Sequence, residues 1–260
     1  LIQQIQQLQL QQFQHFVVIH GTDTLSYASA VAAHFIADSA RVVFTGSQYP
    51  LLNVQGTDTR EFSDAISNLN FALDAVMKHP VGVYLAFHQQ VLHAQTALKR
   101  HTTELDAFTG VTAEHPIPHS LKTHIVQTDD DIEQSHLFNC LNLMMQPVAL
   151  VQQIQNLRNL LSAPPHFLIL QGFGTGNLAV NAELIALFDE FYAQGCVVIL
   201  STQVPFGRTD QRYAVAAWTT QAKIIVSDCL GHADLYAKAL KIYLQYPSAE
   251  ARFSHWHDLG

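Results

Sequence analysis

The stretch from Phe16 to Thr24, with the sequence FVVIHGTDT, determines how the rest of the chain is interpreted. Four apolar residues that stop near a glycine predict a buried β-strand followed by a turn. The alanine-rich segment from Ser26 to Ala37 then predicts a helix that Thr24 or Ser26 could cap. Thr22 and Asp23 therefore follow the carboxyl end of a strand, where open α/β sheets bind their ligands. A turn with a helix cap and no ligand is the alternative interpretation.

The rest of the chain alternates predicted strands and helices, which is typical of parallel sheets covered by helices. We predict an α/β protein in which a larger N-terminal parallel-sheet domain, with helices on both faces, spans residues 1–146. A smaller C-terminal α/β domain is expected at 147–260. Further strands are predicted at 42–45, 82–87, 91–95, 167–171, 196–201 and 224–226, and further helices at 1–12, 63–79, 182–192, 213–220 and 233–244.

A second copy of the tetrapeptide, Gly56-Thr57-Asp58-Thr59, lies in a segment rich in Pro, Asn, Gly and Asp at 49–62. This copy follows polar residues and not an apolar strand, so we interpret it as turn chemistry without a catalytic role. The helix that begins near Ser63 is expected to end at Pro80. The residues predicted to face the core from this helix are Ile66, Leu69, Leu73, Val76 and Met77.

Composition limits the kinds of partner that the chain can bind. A formal charge of −8, from 13 Lys+Arg against 21 Asp+Glu, argues against a nucleic-acid surface or an anionic membrane. The longest apolar stretches are only as long as a strand, and residues 1–14 lack a basic leader. We therefore expect neither a transmembrane helix nor a signal peptide, and we predict a cytoplasmic protein.

No cofactor or metal is predicted from the motifs. The turn from Gly172 to Asn177 has asparagine where a dinucleotide fingerprint requires its third glycine, and no phosphate-binding Gly-Lys-Ser/Thr sequence occurs. The 15 histidines are scattered and form no His-Glu-x-x-His motif. Cys140, Cys196 and Cys229 are widely spaced, which favours reduced, mostly buried thiols over disulfides or a zinc site.

Several motifs in a fixed order resemble the L-asparaginase family, most closely its bacterial cytoplasmic type I branch. The order and approximate spacing hold from about Phe16 to the region of Leu240, which is nearly the whole chain. The motifs are His20-Gly21-Thr22-Asp23-Thr24 with Tyr27, Val43 to Gln48 with Pro50-Leu51, Ser63-Asp64 before Asn68-Leu69, Lys99 nine positions before Phe108, Gly172 to Asn177, and Ser201-Thr202-Gln203.

The resemblance implies a catalytic triad of Thr22, Asp23 and Lys99, in which Asp23 also holds the α-amino group of the substrate. Gly21, Thr22, Asp23 and Ser47 form the expected substrate-binding set. The chemistry is consistent, because a threonine hydroxyl is a weak nucleophile that must lose its proton to a nearby base. Only a neutral lysine could act as that base. The alternative for Lys99, which precedes Arg100 and His101, is a solvated basic turn.

One departure from the family concerns its first threonine, which lies in a Thr-Gly-Gly-Thr turn and is usually assigned as the acyl-enzyme nucleophile. No threonine precedes Thr22 in this sequence. We expect an N-terminally truncated asparaginase rather than a degraded relative, because Thr22, Asp23 and Lys99 are all present. The chain as given is therefore expected to lack full activity.

Three functions stay open at this point. The first is hydrolysis of L-asparagine to L-aspartate and ammonia. The second is the glutamine amidase component of a transfer-RNA amidotransferase, with L-glutamine as substrate. The third is a non-catalytic asparaginase-like protein. The family resemblance also implies a homodimer or homotetramer.

Overall fold

The computed structural model describes residues 1–117, 121–126, 130–207, 209 and 218–258. The chain forms two compact units. The first comprises Leu1–Thr128 with Tyr236–Lys238, and the second comprises Asp129–Leu235 with Ala239–Leu259. The domain assignment at 1–146 and 147–260 stays a prediction, and the compact units divide earlier in the sequence. The earlier division arises because Cys140–Met144 forms a strand hydrogen-bonded to Phe167–Gly172 in the second unit.

The first unit contains a four-stranded sheet whose first three strands are parallel. The fourth strand is antiparallel to the third and follows it through a two-residue turn. In the parallel part, Val17 lies opposite Val43 and Val43 lies opposite Tyr84. The strands, in their order across the sheet, are β1 (His15–Ile19), β2 (Arg41–Thr45), β3 (Gly82–Phe87) and β4 (Gln90–His93).

Helices cover both faces of this sheet, as predicted. The helices are α1 (Ile2–Leu10), which ends two residues before its predicted end, α2 (Leu25–Ile36) and α3 (Ala65–Lys78). Alternate residues of a strand point to opposite faces, and Val42 and Phe44 accordingly join the cluster that contains residues of α2. Val43, between them, packs with Ala72 and Ala75 of α3 on the other face.

The prediction that β1 is a buried strand was wrong. Phe16, Val17 and Val18 are half-buried and the Ile19 side chain is 68% exposed. Within the described residues, β1 pairs with β2 alone, so it forms one edge of the sheet. An edge strand has a neighbour on one side only, and its side chains are covered less completely than those of β2.

The predicted orientation of α3 was also wrong for most of its large apolar residues. Ile66, Leu73 and Met77 are 52%, 49% and 68% exposed. The face that packs on the sheet consists of Ala72, Ala75 and Val76. Small side chains let the helix approach the sheet closely, and this packing directs the larger apolar side chains toward solvent.

The second unit repeats the α/β arrangement with a fully parallel sheet. Leu168 and Leu170 of its second strand pack with Phe188 on one face, while Ile169 packs with Leu235 and Ile242 on the other. In their order along the chain, the strands are β7 (Cys140–Met144), β8 (Phe167–Gly172), β9 (Val197–Thr202) and β10 (Ile224–Val226), and the helices are α4 (Asp130–Leu137), α5 (Leu150–Arg158), α6 (Ala182–Ala193), α7 (His232–Gln245) and α8 (Ala249–Ser254).

The predicted α/β fold class is therefore confirmed in both units. The helix predicted at 213–220 lies mostly outside the described residues. Two further strands, β5 (Leu98–Lys99) and β6 (Phe108–Thr109), form a separate antiparallel pair in the first unit.

Candidate active site

The segment with Thr22 and Asp23 follows the carboxyl end of β1, as the sequence predicts. The His20 amide donates to the Thr45 carbonyl at 2.9 Å, which fixes the start of this segment beside the end of β2. Thr24 occupies the N-cap position of α2 but makes no side-chain cap hydrogen bond. The segment therefore joins the strand to the helix without the predicted hydroxyl cap from Thr24.

Lys99 is positioned by a short strand. It belongs to β5 and lies opposite Phe108 of β6. The flanking Leu98 is 5% exposed and Phe108 is 2% exposed, so both ends of the pairing are anchored in the core. The following Arg100 forms an ion pair with Asp106. These contacts exclude a freely solvated basic turn at Lys99.

The structure brings Thr22, Asp23 and Lys99 together. Lys99 Nζ lies 2.8 Å from Thr22 Oγ1, although the two residues are 77 positions apart in the sequence. The same nitrogen lies 3.3 Å from Asp23 Oδ1. The Lys99 side chain is 21% exposed and the Asp23 side chain is 98% exposed. The amine is therefore confined against the hydroxyl, while the carboxylate is open to solvent.

This arrangement allows proton exchange between the hydroxyl and the amine. A neutral amine at Nζ can accept the Thr22 proton, and the resulting ammonium then donates to the alkoxide that it has formed. An ion pair with so exposed a carboxylate contributes little to stability. The exposed carboxylate has free hydrogen-bonding capacity and is suited to hold the ammonium group of a ligand.

The other two predicted site residues are Gly21, which precedes Thr22, and Ser47, which follows β2. A Cβ added at Gly21 would meet nothing within 4 Å, and Gly21 is not among the described glycines with positive φ. Its backbone is therefore open to a ligand, and the turn that follows it at Thr22 and Asp23 does not require a left-handed glycine. Ser47 is half-buried in the segment after β2. Among the described residues, its hydroxyl makes no hydrogen bond to Thr22, Asp23 or Lys99.

Sequence reasoning missed the role of Gly46, which separates β2 from Ser47. A Cβ at Gly46 would lie 2.3 Å from the His20 carbonyl oxygen and 3.5 Å from Thr22 Cγ2. The segments after β1 and β2 are thus in direct contact, and only glycine fits between them. The sequence signal was the Gly-Ser-Gln that follows the strand, but its partner could not be read from the pattern.

The glycine-rich turn of the second unit is a packing feature. The Phe173 amide donates to the Asn177 carbonyl at 2.9 Å, which closes the turn on itself. A Cβ at Gly172 would lie 2.7 Å from the backbone of Gly176. Close approach of the backbone therefore accounts for Gly172, and positive φ values of 50° and 99° account for Gly174 and Gly176, without a nucleotide ligand.

Other candidate chemistry is weak within the part of the chain that the structure describes. No three His, Cys, Asp or Glu side chains there are grouped so that they could hold a metal ion. None of the helices in that part has the length and apolar character needed to cross a membrane. Burial raises the pKa of the Cys140 and Cys196 thiols to about 12, which disfavours the reactive thiolate at both positions.

Comparison with known proteins agrees with the fold and shows the family of the chain. The family model described as "Asparaginase, N-terminal" matches residues 1–131, which is half of the chain. The chain therefore belongs to the asparaginase family.

Individual relatives are distant. L-asparaginase 1 of Escherichia coli (strain K12) is 25% identical over 238 residues, which cover 89% of this chain and 67% of that protein. L-asparaginase of Dirofilaria immitis is 26% identical over 78% of this chain and 35% of its own length. A glutamyl-tRNA(Gln) amidotransferase component from Haloquadratum walsbyi is 29% identical, over 75% of this chain and 46% of its own length. The chain thus spans between one third and two thirds of these relatives.

Solved structures share the fold. The thermostable L-asparaginase from Thermococcus kodakarensis superposes with a TM-score of 0.75 at 23% identity, and the match covers 98% of this chain and 77% of that one. This similarity extends across both units of the chain.

Proposed function

We propose that this chain carries the catalytic triad of an L-asparaginase, which hydrolyses the side-chain amide of L-asparagine to L-aspartate and ammonia. The observation that carries the proposal is the 2.8 Å contact between Lys99 Nζ and Thr22 Oγ1, with Asp23 Oδ1 at 3.3 Å from the same nitrogen. Membership of the asparaginase family supports the choice of substrate class.

Each residue has a distinct role in this proposal. Thr22 provides a hydroxyl for attack on an amide carbonyl, and neutral Lys99 accepts its proton. Asp23, which is exposed, binds the α-ammonium of the substrate and pairs with Lys99 when that amine is charged. Gly21, which precedes Thr22, and Ser47, which follows β2, contribute binding groups for the same substrate.

Ammonia release from L-asparagine tests the proposal. The first threonine of the family is not among these 260 residues, because the sequence before Thr22 contains no threonine. We expect the 260-residue chain to release ammonia at less than about one tenth of the rate of a version fused to a Thr-Gly-Gly-Thr strand, since losing a positioned reacting group costs orders of magnitude. Equal rates would show that one threonine is sufficient, and no release from either version would favour a non-catalytic protein.

Glutamine hydrolysis is a second candidate. The observation that favours it is the 29% identity to the glutamyl-tRNA(Gln) amidotransferase component from Haloquadratum walsbyi. Parallel assays with L-asparagine and L-glutamine separate the two functions. A higher kcat/KM for L-glutamine would replace the first proposal with this one.

We also propose a cytoplasmic homodimer or homotetramer. Leu235, Ala239 and Ile242 of the last long helix, α7, are buried within the second unit and offer no contact surface. The exposed Ile66, Leu73 and Met77 of α3 provide apolar surface instead. Light scattering at micromolar concentration tests the assembly, and a monomer there would count against it.

A further inference from the structure

The buried carboxylate of Asp64 does not cap the backbone of its own helix. Asp64 occupies the N-cap position of α3, where aspartate normally accepts from amides of the first helical turn, yet it makes no such bond. Ser63 Oγ accepts from the Ala65 amide instead, at 3.1 Å. The two carboxylate oxygens of Asp64 accept from the Gln48 amide at 3.0 Å and the Tyr49 amide at 2.9 Å. Its hydrogen-bonding capacity therefore serves the segment after β2.

Asn68, one helical turn later, connects three segments of the first unit. Its Nδ2 donates to Asp64 Oδ2 at 2.9 Å and to the Gly46 carbonyl at 3.0 Å. Its Oδ1 accepts from the His88 amide at 3.1 Å. Asp64 and Asn68 are only 7% and 3% exposed. Buried charge-assisted bonds of this kind are strong and directional, so the two side chains fix the backbone that they bind.

One of the bound segments has a backbone conformation that requires support. His88 and Gln89 form the turn between β3 and β4 with φ values of 45° and 60°. Residues with side chains rarely occupy this left-handed region, because Cβ comes too close to the following carbonyl oxygen. The bond from Asn68 to the His88 amide offsets part of the cost of this conformation and holds the end of β3 beside the end of β2.

The other bound segment touches the candidate catalytic residues. Gly46, whose carbonyl Asn68 holds, leaves no room for a Cβ beside the His20 carbonyl and lies next to Thr22. The His20 amide in turn donates to the Thr45 carbonyl at 2.9 Å. A displacement of Gly46 would therefore be transmitted to the segment that places Thr22 against Lys99.

We propose that Asp64 and Asn68 are positioning residues, which hold the segment from Gly46 to Tyr49 against the Thr22 segment and so set the contact between Thr22 and Lys99. This inference rests on the proposed function for its catalytic consequence. Misplacing a reacting group by about 1 Å can reduce the rate on the order of 100-fold. The hydrogen bonds of both side chains go to backbone groups and to each other, and the proposal gives neither side chain a contact with the substrate. We therefore expect the loss of these bonds to lower kcat more than it changes KM.

Asp64→Asn tests the proposal because it preserves the shape of the side chain but turns an NH₂ group toward one of the two loop amides. We expect kcat to fall roughly 10- to 100-fold per folded molecule, with a smaller change in KM. Ser67→Ala is the matched control, since Ser67 Oγ donates to the Asp64 backbone carbonyl at 2.9 Å and does not touch the carboxylate. It should weaken the start of α3 and leave kcat unchanged.

A second measurement does not depend on amidase activity. Hydrogen exchange of the His20 amide, which donates to the Thr45 carbonyl and not to Asp64 or Asn68, should accelerate in Asp64→Asn and not in Ser67→Ala. Accelerated exchange in a protein that releases no ammonia, even when fused to the Thr-Gly-Gly-Thr strand, would refute the proposed function and retain the positioning role. Unchanged His20 exchange in Asp64→Asn, or unchanged kcat in an active enzyme, would overturn that role. If Asp64→Asn does not fold, Asp64→Glu, which keeps the charge but shifts the oxygens, is judged by the same two measurements.

Discussion

The segments Gly21-Thr22-Asp23-Thr24 and Gly56-Thr57-Asp58-Thr59 have identical sequences but different surroundings. In the first, Lys99 reaches the threonine hydroxyl from 77 residues away. In the second, the partners are local, because Asn53 Oδ1 accepts from the Thr57 amide and Asp58 Oδ1 accepts from the amide of the next residue. The tetrapeptide therefore acquires a candidate catalytic role from the strand that precedes it and from a distant lysine, and not from its own four residues.

The glycines that begin the two copies, Gly21 and Gly56, differ in backbone conformation. Gly56 has a φ of +71°, whereas Gly21 is not among the described glycines with positive φ. The turn copy therefore uses glycine for its backbone conformation. At the candidate site, glycine leaves open space where a ligand could approach the backbone.

Replacing Lys99 by Met, in the version fused to the Thr-Gly-Gly-Thr strand, is the strongest test of this contrast, and the kinetic tests that follow use the same version. The variant keeps the length of the side chain and removes the amine, so turnover should fall about 100-fold or more, the scale of a lost proton-transfer group. Adding Thr22→Val should cause little further loss, because residues that act as a unit are not additive. Ammonia release under saturating substrate measures both effects. Lys78→Met, at an exposed ion pair with Asp74, is the matched control; near-normal turnover in Lys99→Met would exclude the proposed base.

Asp23→Ala should affect binding as well as turnover. It removes the exposed carboxylate proposed to hold the substrate ammonium, and we expect KM to rise by roughly 10- to 100-fold, the scale of a hydrogen bond between charged groups. Steady-state kinetics with L-asparagine give KM, and calorimetric titration with L-aspartate gives the affinity directly. An unchanged affinity would mean that the ammonium binds elsewhere.

Replacing each of the two glycines by alanine tests whether the position needs glycine for its backbone conformation or for the open space beside it. Gly56→Ala should lower the free energy of unfolding by about 1 kcal/mol, because alanine is strained at positive φ, and leave KM unchanged. Gly21→Ala should change stability by less than about 0.5 kcal/mol and raise KM several-fold. Denaturant unfolding and steady-state kinetics provide the two readouts. The reverse pattern would show that the conformations at the two glycines have been assigned wrongly.

Asp58→Ala should have the smallest effect. It removes a local bond to the Thr59 amide in an exposed turn, so stability should change by no more than about 0.5 kcal/mol and turnover should stay at the wild-type value. Equal damage from Asp58→Ala and Asp23→Ala in the same assay would contradict the distinction between the two copies.

Particular residues show how far sequence patterns extended in this protein. The order of strands and helices was predictable because apolar periodicity and glycine breaks are local signals. The outward position of Ile66, Leu73 and Met77 was not, because the helix could bury either its large apolar residues or its alanines. Sheet packing through Ala72 and Ala75 decided that question.

The candidate site also contains residues that the sequence could place and residues that it could not. Thr22 and Asp23 could be placed at a strand end from the sequence alone, since the turn directly follows the apolar run. Lys99 could be connected to them only through family resemblance, and the directions of the Asp64 and Asn68 side chains could not be anticipated at all. An aspartate at a helix start looks the same in sequence whether it caps its own helix or binds another segment.

Local sequence was sufficient for the α/β alternation, the strand-end position of Thr22 and the turn character of the second tetrapeptide, because each depends on residues close together in the chain. Tertiary packing was needed to bring Lys99 Nζ within 2.8 Å of Thr22 Oγ1 and to let Asp64 and Asn68 hold the segment from Gly46 to Tyr49. These contacts join residues from 15 to 77 positions apart. Their geometry depends on how strands and helices pack, which no local pattern specifies.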